Sequence, residues 1–146
     1  MTIKKVSKHW GHELWIADGT KSPYALKRIL FKAGNRTSLQ VHQEKYETNY
    51  VLSGKGKLYR SKEKLDIDRY LKDGFTEEQL LEYMITLEEI EVQAGDVYDM
   101  APGVVHRVEA ITDLEFIECS TNHLDDVIRL HDDQGRTHGR IESEHQ

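Results

Sequence analysis

The chain has 146 residues, 38% of them hydrophobic and 32% charged, which suits a single globular domain with a hydrophobic core rather than a disordered or fibrous chain. Its 20 Lys and Arg against 26 Asp and Glu give a formal net charge of -6, so nucleic acid and anionic membrane surfaces are poor candidate partners. Cys119 is the sole cysteine, which excludes an intrachain disulfide, and no run of about 18 apolar residues could form a membrane-spanning helix. The basic start has no apolar run behind it and does not read as a secretory signal; a cytoplasmic enzyme or binding protein is expected.

In chain order, runs rich in β-branched and aromatic residues occur at 25–31, 48–52, 56–59 and 114–118 and predict strands. Turn signals separate them at 33–35, 53–56, 94–96 and 102–103, where Gly and Asn tolerate backbone angles other residues avoid. Many short antiparallel strands imply an all-β sandwich or barrel. A charged segment over 61–89 breaks this rhythm. Within it Thr76 and Gln79 form a capping-box pattern, with Phe75 and Leu80 placed as a hydrophobic staple, predicting a helix over 77–85. Leu80, Leu81 and Met84 should pack that helix on the barrel, and a second helical turn is expected over 65–71. The helical insertion, about 62–86 at its core, reads first as an elaborated hairpin, with a lid or a dimer contact as alternatives. The last residues, about 140–146, are expected to be a flexible tail.

The chemistry is concentrated in two stretches. Gln40 and His42 are two residues apart, so on a strand they share a face. A turn over 43–46 would then let Glu47 enter the same space from the neighbouring strand, three donors from one hairpin. Far downstream, His106 follows the turn Pro102-Gly103 and can supply a fourth donor. Two imidazoles, a carboxylate and an amide oxygen suit one divalent ion: zinc first, with Mn, Fe, Co or Ni as alternatives.

These two stretches resemble the cupin motifs, a glycine followed by a His-x-His pair, a Glu and a later glycine, then a Gly, a Pro-Gly turn and a His. Gln40 stands where the first of those histidines is usual. With that exchange, Ser38-Leu-Gln-Val-His42 and Glu47 look like the signature of the type II mannose-6-phosphate isomerase domain. Trp10-Gly-His-Glu13, Tyr24-Ala-Leu-Lys-Arg-Ile29 and Asp125-Asp-Val-Ile-Arg-Leu-His-Asp-Asp-Gln-Gly-Arg136 resemble further parts of it; Gln134 replaces a tyrosine.

The resemblance implies a double-stranded β-helix, or jelly-roll barrel, standing alone rather than fused to a guanylyltransferase. It also implies aldose-ketose isomerisation of a hexose phosphate through an enediolate. Arg136 would hold phosphate or carbonyl oxygen, Arg129 is the next phosphate candidate, and Lys27, Arg28 and Arg36 are further cations. Glu13, Lys27 and Tyr98 are candidates for the base, Tyr98 also for a substrate contact. Trp10 and Trp15 read as packing residues with a sugar platform as the alternative, Cys119 as a small buried hydrophobe, and His131 and His138 as exposed tail residues. The expected partners are a sugar phosphate and a second copy of the chain. A non-catalytic sugar or nucleotide-sugar binder, an epimerase and an iron oxygenase are the competing readings.

Overall fold

In the strand Ala25–Phe31 (β3), Ala25, Lys27, Ile29 and Phe31 are buried while Arg28 is exposed, the period-2 alternation of a strand with one face on a core. The same alternation recurs along the chain, in a computed structural model that describes residues 2–136 and 138–141. Lys4–Lys8 (β1), Gly11–Asp18 (β2) and β3 are joined by Leu114–Ser120 (β10), Glu47–Ser53 (β5) and Val97–Met100 (β8) in one six-stranded sheet of order β1-β2-β3-β10-β5-β8. The second sheet has the order β12-β11-β4-β9-β6-β7. Its strands are Gly139–Ile141 (β12), Val127–His131 (β11), Leu39–Val41 (β4), His106–Ala110 (β9), Lys55–Arg60 (β6) and Glu88–Gln93 (β7). Neighbours within each sheet run antiparallel.

Between the sheets the core is graded along the strands. Phe31, Val51, Leu58, Leu114 and Phe116 form its apolar end. Farther along the same inner faces the chain places Lys27, Asn49, Glu47 and Glu118, all buried. The barrel is therefore packed at one end and polar at the other. Gly54 (φ 91°) turns β5 into β6 against the Asp113 carbonyl, where a Cβ would lie 2.0 Å from the oxygen, so no other residue fits without displacement.

β4 and β5 do not form a hairpin with each other, contrary to the reading of 38–54. β4 pairs with β9 and β11, β5 with β8 and β10, so residues 42–46 form a corner that carries the chain from the second sheet to the first. The stretch 101–105 does the same between β8 and β9, and the Gly103 N–H donates to the His42 carbonyl at 2.9 Å, tying one corner to the other.

β6 and β7 do pair as a hairpin, and between them lie the helices Ile67–Asp73 (α1) and Glu77–Ile85 (α2). The capping box at Thr76 and Gln79 forms as expected. α1 starts two residues later than the expected helical turn because Asp66 caps it, its side chain accepting from the Arg69 N–H. Phe75, Leu80, Tyr83 and Met84 pack on a second core of Leu39, Val41, Val105, Ile128 and Leu130, on the outer face of the second sheet. Leu81, expected in that contact, is 62% exposed, since the helix turns its Tyr83 edge inward instead. Part of the expected tail is ordered as β12, through Arg140 and Ile141; residues 142–146 lie outside the described residues.

Candidate metal centre

The two corners bring three donors together. His42 follows β4, Glu47 opens β5 and His106 opens β9; all three are buried, and their ligand atoms lie within 4.8 Å of one another. Glu47 Oε1 stands 3.6 Å from His42 Nε2 and 3.4 Å from His106 Nε2. Each imidazole is oriented through its other nitrogen. His42 Nδ1 is 2.6 Å from the Asp126 carbonyl oxygen and His106 Nδ1 is 3.0 Å from that of Val104. A carbonyl can only accept, so both Nδ1 atoms carry a proton, and both Nε2 atoms face Glu47. Burial, then the neighbouring His42, push the His106 imidazole down to about 4, which keeps it neutral.

The Asp126 carboxylate folds the first corner, accepting from the N–H groups of Gln43 at 3.1 Å, Glu44 at 2.6 Å and Lys45 at 3.0 Å. Burial pushes this carboxyl up, but those donors outweigh it and hold it below its ordinary range. Gln40 pairs in register with His106, so it shares the inner face and lines the same cavity; its Oε1 accepts from the Ser38 hydroxyl at 3.1 Å.

The cavity is lined on its other walls by Glu13, Lys27, Lys45, Asn49, Tyr98, Glu118 and Arg136. Lys27 Nζ lies 3.5 Å from Glu13 Oε1, and the Trp15 indole donates to that same oxygen at 2.9 Å. Lys45 Nζ lies 3.4 Å from Glu118 and 3.9 Å from Glu47. Burial raises the Glu47 carboxyl, but Lys45 and the hydrogen bonds from Glu118 and His42 overcome it and keep Glu47 ionised. Glu118 is driven the other way, to about 8, by burial and by the charge of Glu47. Two buried carboxyls in contact cannot both ionise at low cost, and the one nearer the imidazoles keeps the charge. Tyr98 is likewise pushed well above its ordinary value, by burial first and then by Glu47 and Glu118, so its hydroxyl keeps its proton.

Of the residues singled out in the sequence, Gln40, His42, Glu47, His106, Glu13, Lys27, Tyr98 and Arg136 thus meet at one cavity. Arg136 reaches it while its guanidinium is bound by Asp132 at 2.8 and 3.2 Å. Arg28 does not reach it. It lies on the outer face of β3, paired with Glu115, because one residue of offset from Lys27 reverses the side. Arg129 pairs in register with Gln40 and is buried, but neither it nor Arg36, which is engaged with Asp133, is among the lining residues. Trp10 packs in the core against Phe31 and also lines the cavity, while Trp15 packs between Lys4 and Lys27. Cys119, expected to be buried, is exposed: Glu118 takes the inward position and Cys119 the outward one. His138 is exposed as expected, whereas His131 is half-buried beside Asp133. No residue of 61–89 lines the cavity, so the insertion is not a lid in this conformation.

A family model described as mannose-6-phosphate isomerase C-terminal matches residues 1–110. The chain belongs to this cupin family. No curated protein matches this cupin. Among solved structures it resembles CapF with the inhibitor 3-isopropenyl-tropolone (TM-score 0.64, 19% identity, 90% of this chain and 34% of the other). It resembles the capsular polysaccharide assembling protein CapF from Staphylococcus aureus similarly (0.63, 19%, 90% and 35%). A third is the oxalate decarboxylase of Bacillus subtilis, a protein with Mn(II) centers (0.62, 20%, 87% and 30%). At these identities the likeness establishes the fold, and the cupin spans about a third of each of those chains.

The donor set fits a divalent metal ion. Two imidazoles whose Nε2 atoms converge on an ionised carboxylate, anchored through Nδ1 to main-chain carbonyls, are what such an ion needs, and the anchoring is the usual support of metal-bound histidine.

Proposed function

We propose that this cupin is a metal-dependent aldose-ketose isomerase acting on a phosphorylated hexose of the mannose 6-phosphate kind. The observation that carries the reading is the juxtaposition, in one cavity, of the His42, Glu47 and His106 cluster with two buried lysine-carboxylate pairs, Lys27 with Glu13 and Lys45 with Glu118. Gln40, His42, Glu47 and His106 would hold a divalent first-row ion, whose contribution is Lewis acidity at the sugar oxygens.

The chain's own residues handle the protons. In the aldose-to-ketose direction a base takes the C2 proton, the C–H electron pair becomes the C1=C2 double bond, and negative charge passes to O1. The proton then returns to C1 while the O2 proton moves to O1, leaving the carbonyl at C2. Glu13 and Glu118 are the carboxyl groups on the cavity walls outside the ligand cluster, and Lys27 and Lys45 beside them favour developing negative charge. With Glu118 protonated, Glu13 and Glu47 balance Lys27 and Lys45, and a divalent cation then makes the walls net positive, as binding a phosphorylated ligand requires. The proposal includes a cytoplasmic location and pairing of two copies.

With mannose 6-phosphate in deuterated water, the metal-loaded protein should place label on the carbon next to the carbonyl, and His106→Ala should abolish it. Neither turnover nor exchange with any hexose phosphate would sink the reading.

A further inference from the structure

Asn49 sits on the inner face of β5, 2% exposed, and lines the cavity. Its Oδ1 is buried without a hydrogen-bond partner among the described residues. A buried amide oxygen with no donor lowers the stability of the fold that contains it, so packing does not explain an asparagine here. The next inward residue on the strand is the apolar Val51, so Asn49 stands where the apolar end of the barrel gives way to its polar end. In register Asn49 pairs with Tyr98 of β8 and Glu118 of β10. It lies two residues along the strand from Glu47 and on the same face, about 7 Å from the metal corner.

We infer that Asn49 is a specificity residue whose Oδ1 accepts a hydrogen bond from a hydroxyl of a polyhydroxylated ligand, at a carbon removed from the pair that reacts beside Glu47. A site that offers a buried acceptor to one hydroxyl rejects ligands lacking it, because the acceptor is then left unpaired. The inference deepens the isomerase reading and takes its substrate class from it, but needs only that a hydroxylated ligand binds.

The test joins thermal unfolding to calorimetry. Asn49→Leu, similar in volume and free of the unpaired oxygen, should melt at a higher temperature than the wild type. The metal-loaded variant should bind at least tenfold more weakly to mannose 6-phosphate or to glucitol 6-phosphate, an open-chain polyol phosphate with no carbonyl to isomerise. Asn49→Asp, which keeps an acceptor, should retain more of the binding than Asn49→Leu. A lower melting temperature for Asn49→Leu would make Asn49 a structural residue and overturn the inference. So would unchanged binding of both probes, or a wild type that binds neither. Binding of the polyol by the wild type, lost in Asn49→Leu, without turnover of mannose 6-phosphate would support the role of Asn49 and sink the isomerase reading alone.

Discussion

His42 and His106 are each fixed by a main-chain carbonyl rather than by another side chain, so their tautomers are set by the path of the backbone at two corners. The Asp126 carboxylate sets one of those corners through three N–H groups. Asp126→Ala should therefore weaken metal binding about 10- to 100-fold without removing a ligand. Competition with a chelator would measure this, and unchanged affinity would show that the corner holds without its carboxylate. His106→Ala should bring the metal content of purified protein to background in elemental analysis. The ligand residues were legible because they sit in two contiguous motifs. Lys45 was not, since a lysine inside a polar turn reads as a solvated charge, and its burial comes from the corner closing over it. Glu118 was hidden by parity. The run from Leu114 to Ser120 has apolar residues at both odd and even positions, and Leu114 and Phe116 set the inner face that Glu118 must then share.

At the scale of elements, the limits of α2 could be read from Thr76, Gln79 and Phe75, because a cap is a local hydrogen-bond pattern. The partners of a strand are not local. Nothing between residues 42 and 47 distinguishes a hairpin turn from a corner between sheets; only the pairing of β4 with β9 and of β5 with β10 does. The practical outcome for the site was the same, since either path brings Glu47 toward His42. Thr76→Ala removes one half of the capping box and should lower stability by about 1 kcal/mol in denaturant titration. Gly54→Ala should cost considerably more than the roughly 1 kcal/mol of an ordinary loop substitution. It combines a left-handed backbone with a Cβ inside contact distance of the Asp113 carbonyl. A midpoint equal to that of the wild type would mean that the β5–β6 turn can shift freely.

Across the whole molecule, one place where acid should act is the end of β11. Burial raises the Asp132 carboxyl, but Arg136 reverses this and holds it well below its ordinary range; Arg36 holds Asp133 down in the same way. A depressed folded pKa means that stabilisation is complete above the unfolded value near 3.8 and is lost as pH falls from there through the folded value. Urea midpoints taken from pH 6 downward should drop in that window, and the drop should be smaller in Asp132→Asn. Equal acid sensitivity in the two proteins would locate it elsewhere.

The bond from Gly103 to His42 knots the two sheet-to-sheet passages together at one rim, with Glu47 entering from the first sheet and His106 from the second. In a polypeptide with a single sulfhydryl, an ion seated at that knot would do the work of a cross-bridge, riveting strands distant in the chain. Its grip would then count toward holding the barrel shut, and the denaturation midpoint should climb with the logarithm of free ion concentration.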